Sequence, residues 1–488
     1  MSDAHTFAAL VLLVAVVVLA AVLSNRLTER IKVPAPLLVL VVASLAVTVI
    51  PDLDRPSDRL VERLVTLALI YVLFDGGLHI GWRRFRSAAV PITILGVLGT
   101  LLTVAATAGL MHLVGGISWF LSVLVATAVS PTDPAVVFSV LGKREVAGRS
   151  GTILEGESGA NDPVGIALLA SLLGAGGLSV GAFGSVAGEF ALQLLVGAAV
   201  GILGGRAVLW FMRAVPLPSE GLYPLRGAAC ALILFAVATL LHGSGFLAVF
   251  IAGILLGDER APYKREVERF QSALASLGEI VAFTLLGMTV DLAVLSRTDV
   301  WVPGLVGGAV LAFVIRPVVV GLCLLPARLA RNERVFVMFA GLKGAVPILL
   351  GSFILAEHVS QAERLYGVVI VVVIFSVLVQ GSLVPTVAGL LRLPMREVAL
   401  EPFAVGVRLR DEPNGVHRFT IDSGSPADGL RIDELHDLPE DAWISLVVRD
   451  NQLVPVTGSR RLQAGDQVLV LADPALVPDL VDTFGPEG

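Results

Sequence analysis

Two carboxylates stand in apolar surroundings with a proline beside each. They are Asp133 in Val129-Ser130-Pro131-Thr132-Asp133-Pro134 and Asp162 in Gly156-Glu157-Ser158-Gly159-Ala160-Asn161-Asp162-Pro163. Inserting a carboxylate at bilayer depth costs at least ~2.5–3.5 kcal/mol, so ionisable groups kept there mark ion or proton paths. Ser158 and Asp162 are four residues apart and share one helix face, with Glu157 and Asn161 on the neighbouring stripe. Pro163 frees the carbonyl of Gly159 from its helical partner, and Pro131 and Pro134 free those of Thr127 and Ser130. A hard, partly dehydrated alkali cation needs several oxygens. Asp162, Ser158, Thr132, Asp133 and the freed carbonyls could supply them where two helices meet. One carboxylate holds one proton or one monovalent cation. Competition of the two for Asp162 is therefore sufficient for electroneutral exchange, provided the empty charged carboxylate does not cross.

A plainer reading stands beside this one. Asp162 could be satisfied by a structural hydrogen bond with a nearby Ser, and Thr132-Asp133-Pro134 could cap a second half-helix. Glu157 is one charge too many for a single monovalent ion, so its expected role is structural. Arg316, in Phe313-Val314-Ile315-Arg316-Pro317, would neutralise it. Lys343 either sets a fixed positive charge at a helix break or snorkels to the interface.

The elements that must position these residues are membrane spans. Of the 488 residues 56% are hydrophobic and 16% charged, against roughly 25% charged in soluble proteins. Runs of about 18–25 apolar residues cross a bilayer. About 13 are expected, at 7–24, 35–50, 60–80, 88–113, 118–141, 151–174, 185–212, 222–241, 244–258, 272–290, 300–326, 333–356 and 365–391. Basic residues gather in alternate connections, which by the positive-inside rule puts the N-terminus outside and the C-terminal segment in the cytoplasm. The first apolar run has no cleavage pattern and reads as a retained helix. The fifth span contains Pro131 and Pro134; the twelfth contains Gly341-Leu342-Lys343-Gly344-Ala345-Val346-Pro347. They are an odd number of spans apart and so run in opposite directions. Paired breaks of this kind point to a transporter site at the midplane of an inverted repeat. The fold expected is an all-α polytopic membrane domain, an inverted repeat with two crossed broken helices, over residues 1–395.

From 401 the character changes. Residues 401–488 carry 16 acidic residues against 7 Arg and no Lys, a net −9 where the whole chain carries −6. Strands are expected at Arg408–Arg410, His417–Ile421, Trp443–Arg449, Leu453–Val456 and Gln467–Leu471, with a helix at Pro474–Phe484. This is a small α+β domain on the cytoplasmic side. Cys230 and Cys323 imply neither a disulfide framework nor a metal cluster, and the charge pattern excludes nucleic acid as a partner.

Gly156-Glu157-Ser158-x-x-Asn161-Asp162, Thr132-Asp133-Pro134, Gly341-Leu342-Lys343-Gly344-Ala345 and Phe74-Asp75-Gly76-Gly77-Leu78 together resemble the cation/proton antiporter family of the NhaP and sodium/proton exchanger type. The resemblance covers residues 1–395. It implies a thirteen-helix inverted repeat, a homodimer in the bacterial plasma membrane and a role in pH homeostasis. It also implies ion binding at Asp162 with Thr132, Asp133 and Ser158 nearby, and a Glu157–Arg316 salt bridge. Asn161 stands where electrogenic relatives carry a second Asp; Lys343 stands where many members have Arg. Residues 401–488 resemble the TrkA-C regulatory domain, through Ser423-Gly424-Ser425-Pro426, Val454-Pro455 and Ala464-Gly465-Asp466-Gln467. That pairing implies the potassium/proton branch, with sodium or lithium as the alternative cation. No cofactor is expected. Whether the tail binds a small regulatory ligand such as a nucleotide stays open, and the Gly-x-Gly-x-x-Gly signature for a dinucleotide is absent.

Two other classes compete. Gly156-Glu157-Ser158-Gly159 matches an intramembrane serine-protease nucleophile motif, which requires a histidine base on a facing helix. The candidates His79, His112, His242 and His358 all fall at span ends. A potassium channel would need a carbonyl-ring filter, and no such sequence occurs.

Overall fold

The computed structural model describes residues 19, 35–49, 56–141, 144–146, 148–177, 179–259, 263–393, 395–397, 415–435, 438–439, 442–449, 452–473 and 476–485. The expected first span, 7–24, and the expected strand Arg408–Arg410 lie outside these residues, apart from Leu19. Contacts divide the chain into two units, Met1–Ala399 and Leu400–Gly488.

The first unit is helical. Helix α1 spans Ala35–Val49 and α2 spans Asp58–Thr93. The backbone of α2 is non-helical at Gly81 and Ala88, where one expected span ends and the next begins. A π-helical turn at Ile94–Gly99 leads into α3, Thr100–Gly115. The fifth expected span is two helices, α4 (Trp119–Val129) and α5 (Pro134–Leu141), followed by a short strand β1, Arg144–Val146. Then come α6 (Arg149–Ala175), α7 (Val180–Ala214), α8 (Leu222–Leu240), α9 (Gly245–Gly257) and α10 (Lys264–Thr289). Helix α11 (Thr298–Val310) passes through a π turn at Leu311–Ile315 into α12 (Arg316–Cys323). The twelfth expected span is again two helices, α13 (Arg331–Phe339) and α14 (Ala345–Ala356). Helix α15 (Ala362–Phe375), a π turn at Ser376–Gln380 and α16 (Gly381–Leu390) close the bundle. Strand β2, Met395–Glu397, then pairs antiparallel with β1.

Among the described residues, six helical stretches are long and apolar enough to cross a membrane. Helix α7 presents Phe183, Leu195, Leu203 and Trp210, each more than two-thirds exposed. Such a face is stable only against lipid or another apolar surface. The interior is packed with small and branched side chains, among them Leu124, Val125, Ala126, Leu169, Val249, Leu350 and Val369.

The second unit is a four-stranded antiparallel sheet in the order β3–β6–β4–β5: β3 is Val416–Thr420, β4 Trp443–Arg449, β5 Gln452–Val454 and β6 Gln467–Leu471. These follow the expected strands within two residues. Helix α17, Val477–Phe484, packs Leu480 and Phe484 on Phe419, Val447, Val468 and Val470. Arg449 forks onto buried Asp466, with Nε on one carboxylate oxygen at 2.7 Å and an Nη on the other at 2.8 Å. Burial alone would push the Asp466 carboxyl up; these bonds and the Gln463 N–H outweigh it and hold the group below its ordinary value.

Candidate functional site

The gap between α4 and α5 crosses the gap between α13 and α14. The Asp133 N–H donates to the carbonyl of Leu342 at 2.8 Å. Lys343, 3% exposed, donates from Nζ to the carbonyls of Ser130 (2.7 Å) and Pro131 (3.0 Å). An ammonium thus sits at the C-terminal end of α4, where unpaired carbonyls concentrate negative potential. The snorkelling reading of Lys343 is overturned. Two carbonyls in the protein interior bind the ammonium, and leaving them unpaired there is costly. A second correction follows. The Ser130 carbonyl, expected to be open to a cation, is held by Lys343, and that of Thr127 accepts from Ser130 Oγ at 3.1 Å.

The second break is braced by the π turn in the last span. Lys343 N donates to Ser376 Oγ (3.1 Å), Ser376 Oγ donates to Gln380 Oε1 (2.9 Å), and Gln380 Nε2 donates to the Phe339 carbonyl (2.6 Å). The two glycines of this break are needed for close approach. A Cβ on Gly341 would land on the Arg316 guanidinium, and one on Gly344 would land on the Asp133 carboxylate.

Helix α6 faces this crossing. Ser158 Oγ donates to the Thr132 carbonyl. Asn161 Nδ2 donates to Thr132 Oγ1 (2.9 Å), and Thr132 N returns a bond to Asn161 Oδ1 (3.3 Å). Residues three apart on a helix are neighbours as surely as residues four apart. Asn161 therefore works with Ser158 on Thr132. Glu157 turns to Arg316 and accepts its two guanidinium N–H bonds at 2.8 and 3.0 Å, both side chains being buried.

Asp162 is buried at 7% exposure, and its Oδ1 has no hydrogen-bond partner among the described residues. The plainer reading, a hydrogen bond to Asp162 from a nearby Ser, does not match at Ser158: its hydroxyl is given to Thr132. The same bond leaves Ser158 without the base a nucleophile requires. His112 bonds the Ile117 carbonyl and stacks on Trp119, and His79 bonds Asp75.

Sequence reasoning passed over Ser376 and Gln380, which carry no charge and lie in an ordinary apolar run. It also passed over Glu279, a carboxylate in the middle of the 272–290 run, although the rule applied to Asp133 would have found it.

Residues 12–389 match the family described as sodium/hydrogen exchanger, transmembrane. The chain belongs to the sodium/hydrogen exchanger family. Its tail, residues 416–485, matches the TrkA-C domain. Among family members, the K(+)/H(+) antiporter NhaP of Alkalimonas amylolytica is 31% identical, over 96% of this chain and 82% of its own length. The K(+)/H(+) antiporter NhaP2 of Shewanella oneidensis is 30% identical, over 99% of this chain and 84% of its own. The solved structure of the sodium proton antiporter MjNhaP1 from Methanocaldococcus jannaschii superposes with a TM-score of 0.66 at 21% identity, covering 78% of this chain and 98% of that one. The exchanger fold of the first unit is thereby established, and the family is one of secondary transporters and not of enzymes.

Proposed function

We propose that this protein is a secondary antiporter that exchanges a monovalent cation, potassium by preference, for protons, with Asp162 as the group for which the two compete. The observation that carries the reading is the buried Asp162 Oδ1, unpartnered among the described residues, beside the crossing of two interrupted helices. Of the other polar groups expected at the site, Ser158 and Asn161 are engaged with Thr132, Lys343 with two carbonyls and Glu157 with Arg316.

The residues divide the work as follows. Asp162 takes the proton or the cation, with Asp133, Thr132 and Ser158 close by. Asn161 fixes Thr132. The Glu157–Arg316 pair ties α6 to α12 and cancels a charge that would otherwise change the site's stoichiometry. Lys343 holds the α4 break in shape. With one titrating carboxylate per site, one proton leaves for each cation bound and the exchange is electroneutral.

Potassium is preferred on two supports, the TrkA-C tail and relatives named K(+)/H(+) antiporters over nearly the full chain. Sodium is the second reading, favoured by the low-affinity Na(+)/H(+) antiporter NhaS1 of Synechocystis, 26% identical over 74% of this chain. We place the transport domain at 1–395 and a regulatory domain at 401–488. The protein is proposed to act as a homodimer in the bacterial inner membrane, N-terminus outside and tail in the cytoplasm.

The test uses acidic-inside proteoliposomes with a pH-sensitive dye, challenged with potassium, sodium and lithium. Potassium is expected to dequench the dye most, and Asp162→Asn to abolish the signal. Cation-driven proton movement retained in that variant would sink the mechanism; a response to sodium alone would move the substrate to the second reading.

A further inference from the structure

Tyr366 lies in the second turn of α15 and is buried at 4% exposure. Its ring covers Gly351 of α14, where a Cβ would come within 2.8 Å of Tyr366 Cδ2. Its hydroxyl leaves that helix pair and reaches the last turn of α10. Thr289 Oγ1 donates to the Leu286 carbonyl at 2.8 Å. A hydroxyl has one proton to give, so in the 2.7 Å bond between the two side chains Tyr366 Oη is the donor and Thr289 Oγ1 the acceptor.

This bond joins two groups of helices. α14 starts at the second break, where Gly344 abuts Asp133, and α15 packs on α11 through Val371 and Gly304. α10 is tied the other way, by Ser272 to Asp75 of α2 and by the close approach of Gly287 to Leu40 of α1. A cavity of about 210 Å³ opens beside the bond, and its walls come from both groups. Asp58, Thr289 and Asp291 line one side; Leu355, Tyr366 and Ile370 line the other. The cavity lies at the end of the bundle where α2 begins, away from Arg83, Arg84 and Arg86. Carboxylates in its wall favour cations. Ten residues of α14, about 15 Å, separate Leu355 at the cavity from Ala345 at the break. A transporter that serves both faces must at some stage join such a cavity to its site. Joining them parts the walls, and the Tyr366–Thr289 bond crosses the line of parting.

We propose that the Tyr366–Thr289 hydrogen bond is a latch that keeps this cavity shut from the ion site, and that its release lets the α14–α15 pair move against α10. The proposal rests on the antiporter reading and adds to it the contact that sets how often that face opens.

Tyr366→Phe removes the hydroxyl and keeps the ring; Thr289→Val removes the other partner at nearly constant shape. The reporter is Ile370→Cys, on the cavity wall and 1% exposed. It is placed in a Cys230→Ser, Cys323→Ser background, since both native thiols are free. The full-length protein in proteoliposomes is treated with a membrane-impermeant maleimide, and the labelling rate of the accessible fraction is followed with and without each latch variant. Each variant is expected to quicken labelling by roughly threefold to tenfold, the shift that losing one hydrogen bond gives a two-state balance. The double variant is expected to add little to either single one, because both break the same bond. A merely structural pair would lower the thermal midpoint without quickening the reporter. Unmoved labelling in the variants, or additive effects, overturns the latch; if one variant fails to fold, the other carries the test alone. Exchange is measured in parallel without the reporter. Intact wild-type exchange beside unmoved labelling overturns this inference only, whereas absence of exchange in wild type overturns the antiporter reading.

Discussion

Each charged residue at the crossing is best understood by what would be left behind if it were removed. Arg316→Ala leaves Glu157 buried and uncompensated, an arrangement that costs ~3–5 kcal/mol. Glu157→Gln leaves a neutral amide and a guanidinium that still bonds the Val337 carbonyl. Thermal unfolding in detergent is therefore expected to show the larger loss for Arg316→Ala; equal midpoints would argue against the pair as a brace. Lys343→Met removes the donor from two buried carbonyls, each of which then costs ~1–3 kcal/mol. That variant is expected to be less stable than wild type by several degrees in the same assay, whereas Lys343→Arg, which keeps donors in reach, should be milder. In the tail, Asp466 works in the opposite sense to a group that burial alone controls. Its folded form holds the proton less tightly than the unfolded chain does. The Arg449 contact therefore contributes in full above the ordinary carboxylate value near ~3.9 and is lost as pH falls below it towards the lowered folded value. Hydrogen exchange of residues 442–471 in the full-length protein should quicken over that acid range, and Asp466→Asn should remove the dependence.

At the scale of elements the controlling feature is helices that stop in the middle of the protein. Prolines at 131 and 134 and the Gly341–Gly344 stretch announce the stops in the sequence, and the structure crosses the two gaps. That much was legible, as were Asp133, Asp162 and the Glu157–Arg316 contact, because each is a charge placed where charge is expensive. What holds the gaps was not legible. Lys343 reaches carbonyls more than two hundred residues earlier, and Gln380 reaches the Phe339 carbonyl from the last span. Such partners follow from which helices pack together, and nothing in a local window encodes that. The carbonyls freed by proline were rightly located and wrongly assigned, since Ser130's went to Lys343. Gly344→Ala tests how closely the gaps are fitted. Its methyl would land on the Asp133 carboxylate, and the expected result is loss of exchange with a folded protein by size-exclusion chromatography.

At the scale of the whole molecule, two compact units are joined by a connection that starts beyond Glu397. Removing residues 401–488 is expected to alter the pH or ligand dependence of exchange and to leave exchange itself; complete loss in a correctly assembled protein would make the tail part of the transport machinery. The pairing of β1 with β2 fixes where the first unit ends. Arg144, Glu145 and Val146 lie opposite Glu397, Arg396 and Met395. β1 fills the short link between α5, which follows Asp133, and α6, which carries Asp162. The last stretch of the first unit is thus stitched by backbone bonds to the link between the helix that follows Asp133 and the helix that carries Asp162. The three residue pairs close the chain between Val146 and Met395 into one long loop, and because the entropic cost of closure grows only slowly with loop length, so short a ladder can hold so long a loop shut.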